Sequence, residues 1–405
     1  MLRLTQYRMP DTYAKRLGVI AVLTCLGVLL AACGSRSQAS CSDDSECAAG
    51  QTCTTSGGVF FDRPVCIDVV DSSPGDCTPS NGGVEACDGV DNDCDGDIDE
   101  GPLELVDIAS GHGYACGTTS TGDAYCWGSN ADGELGAGLV SGRQDRPVRV
   151  AGNAEFEAIV GNPNLGRQTC GLTFEGRIYC WGQRVDQFGA NSGEMTVSTP
   201  VLIPASSTVE TLAFEQIALG GFTICARATD RRVWCWGQNG YGQLGDGTTN
   251  PSDEPLEVAL GGTAKWISMG VWHACATLDS GTATCWGRNT FGQLGNGTTQ
   301  TPERPVEVPA PGGQNWERVV AGDEFTCGIT DDATLYCWGR NTEGQLGIGS
   351  TTPSTVTEPT EVTGLDAVTA VAPGTVHACA LAADNRPHCW GDMGDDGVEL
   401  GIGSD

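Results

Sequence analysis

Short bursts of alternating apolar and polar residues recur along the chain from about residue 103. Phe214-Glu-Gln-Ile217-Ala-Leu-Gly220 is one example, and period-two alternation over so few residues reads as a half-buried strand. Such a stretch precedes a cysteine in each copy of a larger pattern. A turn and a second strand ending in Cys-Trp-Gly follow, then a glycine-rich loop, then a Pro-x-x-Val element, as at Pro147, Pro255 and Pro305. Proline there suits the start of an edge strand, which has no neighbour to receive a ladder hydrogen bond.

Six copies carry Cys-x9-Cys-Trp-Gly, with their first cysteines at Cys116, Cys170, Cys225, Cys275, Cys327 and Cys379. The intervals are 54, 55, 50, 52 and 52 residues. That period fits one propeller blade of four short strands. The loop reads Gly-Gln-Leu-Gly at Gly242–Gly245, Gly292–Gly295 and Gly344–Gly347, with a variant at Gly133–Gly136, and its glycines suit turns that need positive φ. The second copy departs most, because Gln183 follows Trp-Gly directly and the glutamine loop is lost around Gly189.

This layout resembles the regulator of chromosome condensation family of β-propellers, whose repeat reads approximately G-x-x-H-x-C-A-L-x-x-x-G-x-V-x-C-W-G-x-N-x-x-G-Q-L-G. His273-Ala-Cys275-Ala-Thr-Leu through Cys285-Trp-Gly-Arg-Asn289-Thr-Phe-Gly292-Gln-Leu-Gly295 follows it almost letter for letter. The resemblance implies an all-β chain whose residues 103–405 form a propeller of four-stranded blades. The family usually has seven blades, yet six repeats occur, and the last copy runs to Leu400-Gly-Ile-Gly-Ser-Asp405 without a Pro-x-x-Val strand. Six blades closing a tighter ring is the expectation, against an incomplete seven-blade arc with an exposed edge.

Residues ten apart flank a hairpin turn symmetrically, so the two cysteines of each copy face each other across strands at a spacing a disulfide can bridge. Six pairs are expected: Cys116–Cys126, Cys170–Cys180, Cys225–Cys235, Cys275–Cys285, Cys327–Cys337 and Cys379–Cys389. The alternative is a set of small buried thiols. Six of the ten tryptophans occupy the Cys-Trp-Gly position, which suits packing between blades better than an aromatic ligand cage.

Composition agrees with an all-β chain and adds an address. Glycine is 59 of 405 residues, charged residues are 18%, and the net charge is −31. A surface this acidic repels phosphate backbones, so nucleic acid is excluded as a partner. Twenty-one cysteines spread along the chain argue for an oxidising compartment. Arg3, Arg8, Lys15 and Arg16 precede an apolar run, Leu17 to Ala32, shorter than a spanning helix needs. Residues 1–32 therefore read as a signal peptide. Leu30-Ala-Ala-Cys33 resembles the bacterial lipoprotein signal, which implies lipid attachment at Cys33; Gly34 and Ser35, in place of Asp, favour the outer membrane. The alternatives are a signal anchor and an ordinary secretory signal.

A polar spacer, 33–40, leads to a cysteine-rich module over 41–76 with Cys41, Cys47, Cys53 and Cys66, whose pairing the spacing leaves open. Residues 77–101 place eight acids between Glu85 and Glu100. Asp91, Asp93, Asp95, Asp97 and Asp99 alternate, with Gly96 at the sixth place, as in the first half of an EF-hand loop. Position twelve is Pro102, so the loop is not an EF-hand. The stretch resembles a short metal-binding motif repeated in exported bacterial proteins, and hard oxygen ligands make Ca²⁺ the expected ion. The alternative is a solvated acidic spacer pinned by Cys87–Cys94.

Only four histidines exist. His273 and His377 share one repeat position with Tyr114, Gln168, Thr223 and Phe325, a column whose chemistry changes and which therefore reads as structural. No copy stands out with a nucleophile, base and orienting acid, so an enzyme is not expected. The family's namesake implies guanine-nucleotide exchange on a nuclear GTPase, which an acidic protein anchored outside the cytoplasm would not meet. Relatives that include a secreted β-lactamase inhibitor imply instead recognition of an extracytoplasmic protein, with the N-terminal lipid the sole membrane contact. Specificity is then expected in the loops Leu139–Arg146, Val185–Ser198, Thr248–Glu254 and Ser350–Glu358, reading a basic partner or a carbohydrate.

Overall fold

The computed structural model describes residues 51–54, 65–68 and 103–392, apart from 141, 163–165, 184–195 and 204–211. Cys33, Cys87, Cys94 and Asp91 to Asp99 lie outside the described residues. Within the separate unit that spans 30–104, Gln51–Thr54 and Val65–Asp68 pair antiparallel, with Cys53 opposite Cys66 in the backbone register.

From Leu105 onward the chain forms six antiparallel sheets in succession, one per repeat. Five have four strands and the sixth has three described strands, Ala370–Pro373, His377–Leu381 and Pro387–Gly391. The fourth blade shows the plan, with strands at Ala264–Met269, His273–Leu278, Ala283–Gly287 and Val306–Val308. First strands pack on the first strands of adjacent blades, so they lie nearest the axis and fourth strands form the rim. The chain therefore forms an all-β, six-blade propeller.

Strand direction assigns every connection to one of two faces. Turns between first and second strands and loops between third and fourth strands share one face, here the loop face. Hairpins between second and third strands, and links from one blade to the next, share the other, the hairpin face.

All six expected disulfides are present, with Cα–Cα separations of 4.0–4.1 Å, and each pair is also a register pair of its hairpin, Cys275 opposite Cys285 for instance. Pro147 and Pro255 lie within the rim strands Gln144–Arg149 and Ser252–Glu257, not at their starts. They coincide with shifts in register, where no ladder bond needs their missing N–H.

Five hydrophobic clusters knit the blades, one at each junction from the first blade to the sixth. Among the described residues no such cluster joins the sixth blade to the first. Trp181, Trp236, Trp286 and Trp338 are fully buried, whereas Trp127 and Trp390 in the terminal blades are partly exposed. Four of these junctions use the indole directionally. Trp286 Nε1 donates to the Gln243 carbonyl of the preceding blade (2.8 Å), and Trp181, Trp338 and Trp390 do likewise to Glu134, Gln293 and Gln345.

Near the axis the approach is tighter still. A Cβ on Gly220 would collide with the Gly270 carbonyl, and one on Gly270 with that of Gly322, so glycine sets how closely these first strands converge. His273 is sealed at the same level. Its Nε2 lies 2.9 Å from Thr326 Oγ1, which itself donates to the Gln293 carbonyl, so Nε2 carries the proton. Burial drives the imidazole down to about 3, and the ring is neutral. The histidine column is structural, as Phe325 at the equivalent place suggests.

Candidate functional site

The loop face rests on one backbone hydrogen bond repeated in all six blades. The residue after Cys-Trp-Gly donates its N–H to the carbonyl of the residue three before the first cysteine: Ser129 to Gly113, Gln183 to Arg167, Gln238 to Phe222, Arg288 to Trp272, Arg340 to Glu324 and Asp392 to Val376, at 2.8–3.0 Å. A constant bond thus presents changing side chains. A scaffold that fixes positions while leaving their chemistry free is the arrangement of a recognition surface.

Buried asparagines hold the neighbouring long loops in place. Asn289 Nδ2 donates to the carbonyls of Thr298 (3.0 Å) and Gln300 (2.9 Å), and its Oδ1 accepts the Leu294 N–H (2.9 Å). Asn239 grips Thr248, Asn250 and Leu244 in the same way, while Asn130 and Asn341 hold Leu139 and Ser350. The glutamine of each loop adds a clasp: Gln293 Oε1 accepts the Phe291 N–H at 2.9 Å. Gly292 and Gly295 adopt φ of 75° and 70°, and Gly242, Gly245, Gly344 and Gly347 lie between 66° and 76°. Three of the loops expected to carry specificity, those at Leu139, Thr248 and Ser350, are therefore pinned to this face; most of Val185–Ser198 lies outside the described residues.

Side chains on this face link across blade boundaries, and each link differs. Between the first and second blades Arg167 Nη1 meets Asp132 Oδ2 at 3.1 Å, and Gln183 Nε2 reaches Asp132 Oδ1 at 3.3 Å. Between the third and fourth, Tyr241 meets Trp272 edge-on with centroids 5.5 Å apart. Between the fourth and fifth, Glu324 accepts from Arg288 (2.9 Å) and Arg340 (2.8 Å). The two guanidiniums also lie over aromatic rings, Arg288 over Tyr241 (5.4 Å) and Phe291 (5.9 Å), Arg340 over Phe291 (5.6 Å). Tyr241, Arg288, Phe291 and Arg340 thus form a ladder across three blades. Its aromatic and arginine composition matches that of interface hot spots, where planar groups bury large area at little entropic cost.

Beside the ladder stands Asp323. Burial, and the charge of neighbouring Glu324, push its carboxyl up to about 6 against the opposing pull of Arg340 and Arg288. Sequence reasoning missed the ladder, the asparagine plugs and Asp323. The asparagines were visible as Trp-Gly-x-Asn in four of the six copies, and the ladder as columns that vary within a constant frame. Among the described residues no group of three or more His, Cys, Asp or Glu side chains is placed to hold a metal.

A family model described as the RCC1-like domain matches residues 77–405. The chain is 28% identical over 303 residues to the E3 ubiquitin-protein ligase HERC2 of Homo sapiens, covering 72% of this chain and 6% of that protein. It is 26% identical over 303 residues to the ultraviolet-B receptor UVR8 of Arabidopsis thaliana, covering 72% of this chain and 54% of the receptor. The chain thus spans about half the length of the plant receptor and a small part of the ligase. Among solved structures, yeast RCC1 (Prp20), crystallised with Kap60, superposes with a TM-score of 0.62 at 20% identity, over 74% of this chain and 72% of that one. Human WBSCR16 superposes with a TM-score of 0.61 at 20% identity, over 69% of this chain and 72% of that one. At such identities the likeness is one of fold.

Proposed function

Because the chain belongs to the RCC1-like domain family, we propose that its propeller is a non-catalytic protein-interaction scaffold that recognises its partner through the loop face. The observation that carries this reading is the repeated backbone bond from the residue after Cys-Trp-Gly, which holds Phe222, Trp272 and Glu324 in one repeated place and Gln238, Arg288 and Arg340 in the other, so that the chemistry changes from blade to blade on a fixed frame. Rigid, half-buried aromatic and arginine side chains favour a protein surface over a small substrate. The sealed, neutral His273 supports a structural use of the histidine column over a catalytic one.

The N-terminal part of the proposal rests on sequence alone. Lipid on Cys33 anchors the chain to the cell envelope, and Asp91, Asp93, Asp95, Asp97 and Asp99 bind Ca²⁺ in the stalk that presents the propeller. Ubiquitin ligation and ultraviolet-B perception belong to the named relatives.

Crosslinked capture from envelope extracts tests the scaffold. The parent chain is expected to retain a defined protein, identified by mass spectrometry, that Tyr241→Ala with Arg340→Ala loses and that variants of the hairpin face keep. Equal capture by the ladder variant would overturn the reading. Metabolic labelling with an alkyne fatty acid, expected to vanish in Cys33→Ala, checks the anchor.

A further inference from the structure

On the hairpin face a groove of about 470 Å³ opens between the first and second blades. Its walls are Phe174, Tyr179 and Pro200 on one blade and the link Ala151–Glu155 from the other, and Glu155 and Glu175 stand at its edge. Phe174 is 53% exposed. None of the residues lining the groove is basic.

Comparison with the other hairpins shows what is unusual here. Each carries an acid with a partner inside the chain: Asp123 pairs with Arg149, Asp230 with Arg232, Asp279 with Arg231, Asp331 with Asn315 and Asp384 with His388. In the second blade the acid is Glu175. Neither it nor Glu155 makes an ion pair or side-chain hydrogen bond among the described residues, and Arg177, two residues on, leaves Glu175 unpaired. The place before Glu175, which the other hairpins give to Ser120, Thr229, Asp279, Asp331 or Ala383, holds the outward-facing Phe174. Among the described residues the hairpin whose acid has no side-chain partner is thus the one that adds an exposed ring and a groove.

We propose that this groove seats a lysine or arginine side chain of a polypeptide partner, its charge between Glu155 and Glu175 and its stem or guanidinium plane against Phe174 and Tyr179. Aromatic faces attract organic cations through the ring quadrupole, which distinguishes this site from one for a hard divalent ion. The net charge of −31 steers basic segments toward the surface, and the groove supplies the local fit. The site lies on the face opposite the ladder and goes beyond the proposed scaffold, so its failure would leave that reading standing.

A fluorescein-labelled peptide with Arg-Lys flanked by glycines, titrated with the full chain at low salt, tests the proposal by anisotropy. Saturable binding is expected, with none by the citrulline and acetyl-lysine counterpart. Glu155→Gln with Glu175→Gln should weaken binding about tenfold, and Phe174→Ala about threefold. The control pair Glu303→Gln with Glu307→Gln, on the fourth blade, should leave it unchanged. No binding, equal binding of the neutral peptide, or equal weakening by the control pair would each overturn the site. Should Phe174→Ala fail to fold, the glutamine pair still decides, because its groups are exposed and bear no internal bonds.

Discussion

The loop face and the hairpin face are built from opposite kinds of connection. On the loop face long segments are held by fully buried asparagines, and the side chains they present are cross-linked to one another over blade boundaries. On the hairpin face the turns are tight, and their polar groups pair near the surface, as Ser280 Oγ does with Thr282 Oγ1 at 2.8 Å. One face makes its shape from buried polar bonds; the other makes it from strand geometry alone. Substitutions should therefore unfold the first and only re-decorate the second.

The largest test of that contrast is Asn289→Ala, which removes the buried partner of two loop carbonyls and of the buried Leu294 N–H. A loss of about 3 kcal/mol in urea unfolding is expected. Thr282→Ala on the hairpin face should cost no more than about 0.5 kcal/mol, and equal costs would break the distinction. Next comes the cystine that lies between the faces. Replacing Cys275 and Cys285 together by alanine should cost about 2 kcal/mol, since the hairpin already constrains the short loop the bond closes.

Asp323→Asn sharpens the contrast from the other side, because the loop face keeps a carboxyl where burial disfavours its charge. The folded protein holds this proton up to about pH 6, above the ordinary carboxylate value of 3.8, so the group costs stability as pH rises through that window. The variant should gain about 1 kcal/mol at pH 8 after solvent screening, and nothing at pH 3.5. Thermal melting at the two pH values reads the difference. The smallest effect is expected of Glu155→Gln with Glu175→Gln, which should leave the melting transition within about 0.5 kcal/mol of the parent while abolishing the groove's charge.

What the chain displays openly is what repeats locally. The facing cysteines, the positive-φ glycines and the four-strand plan all follow from spacings within about fifty residues, where strand period and turn chemistry dominate. The groove, the arginine ladder and the asparagine plugs depend on which residues of adjacent blades meet. Phe174 reads in sequence as one more hairpin residue, and only the packing of the second blade on the first reveals it as a wall. Tryptophan packing was legible as an interface, but its bond to a carbonyl of the preceding blade was not. The strand position of Pro147 and Pro255 was misplaced because register shifts cannot be seen in an apolar pattern.

The directional indole joint has a consequence for how such a ring can grow. The fourth and fifth blades each offer a carbonyl at the Gln-Leu-Gly loop and an indole at the Cys-Trp-Gly strand, and each keeps its cystine wholly to itself. A tandem duplication of one repeat therefore arrives with both halves of the coupling and its own staple already in frame. Blade number can change by a single genetic event without any compensating substitution at the seam.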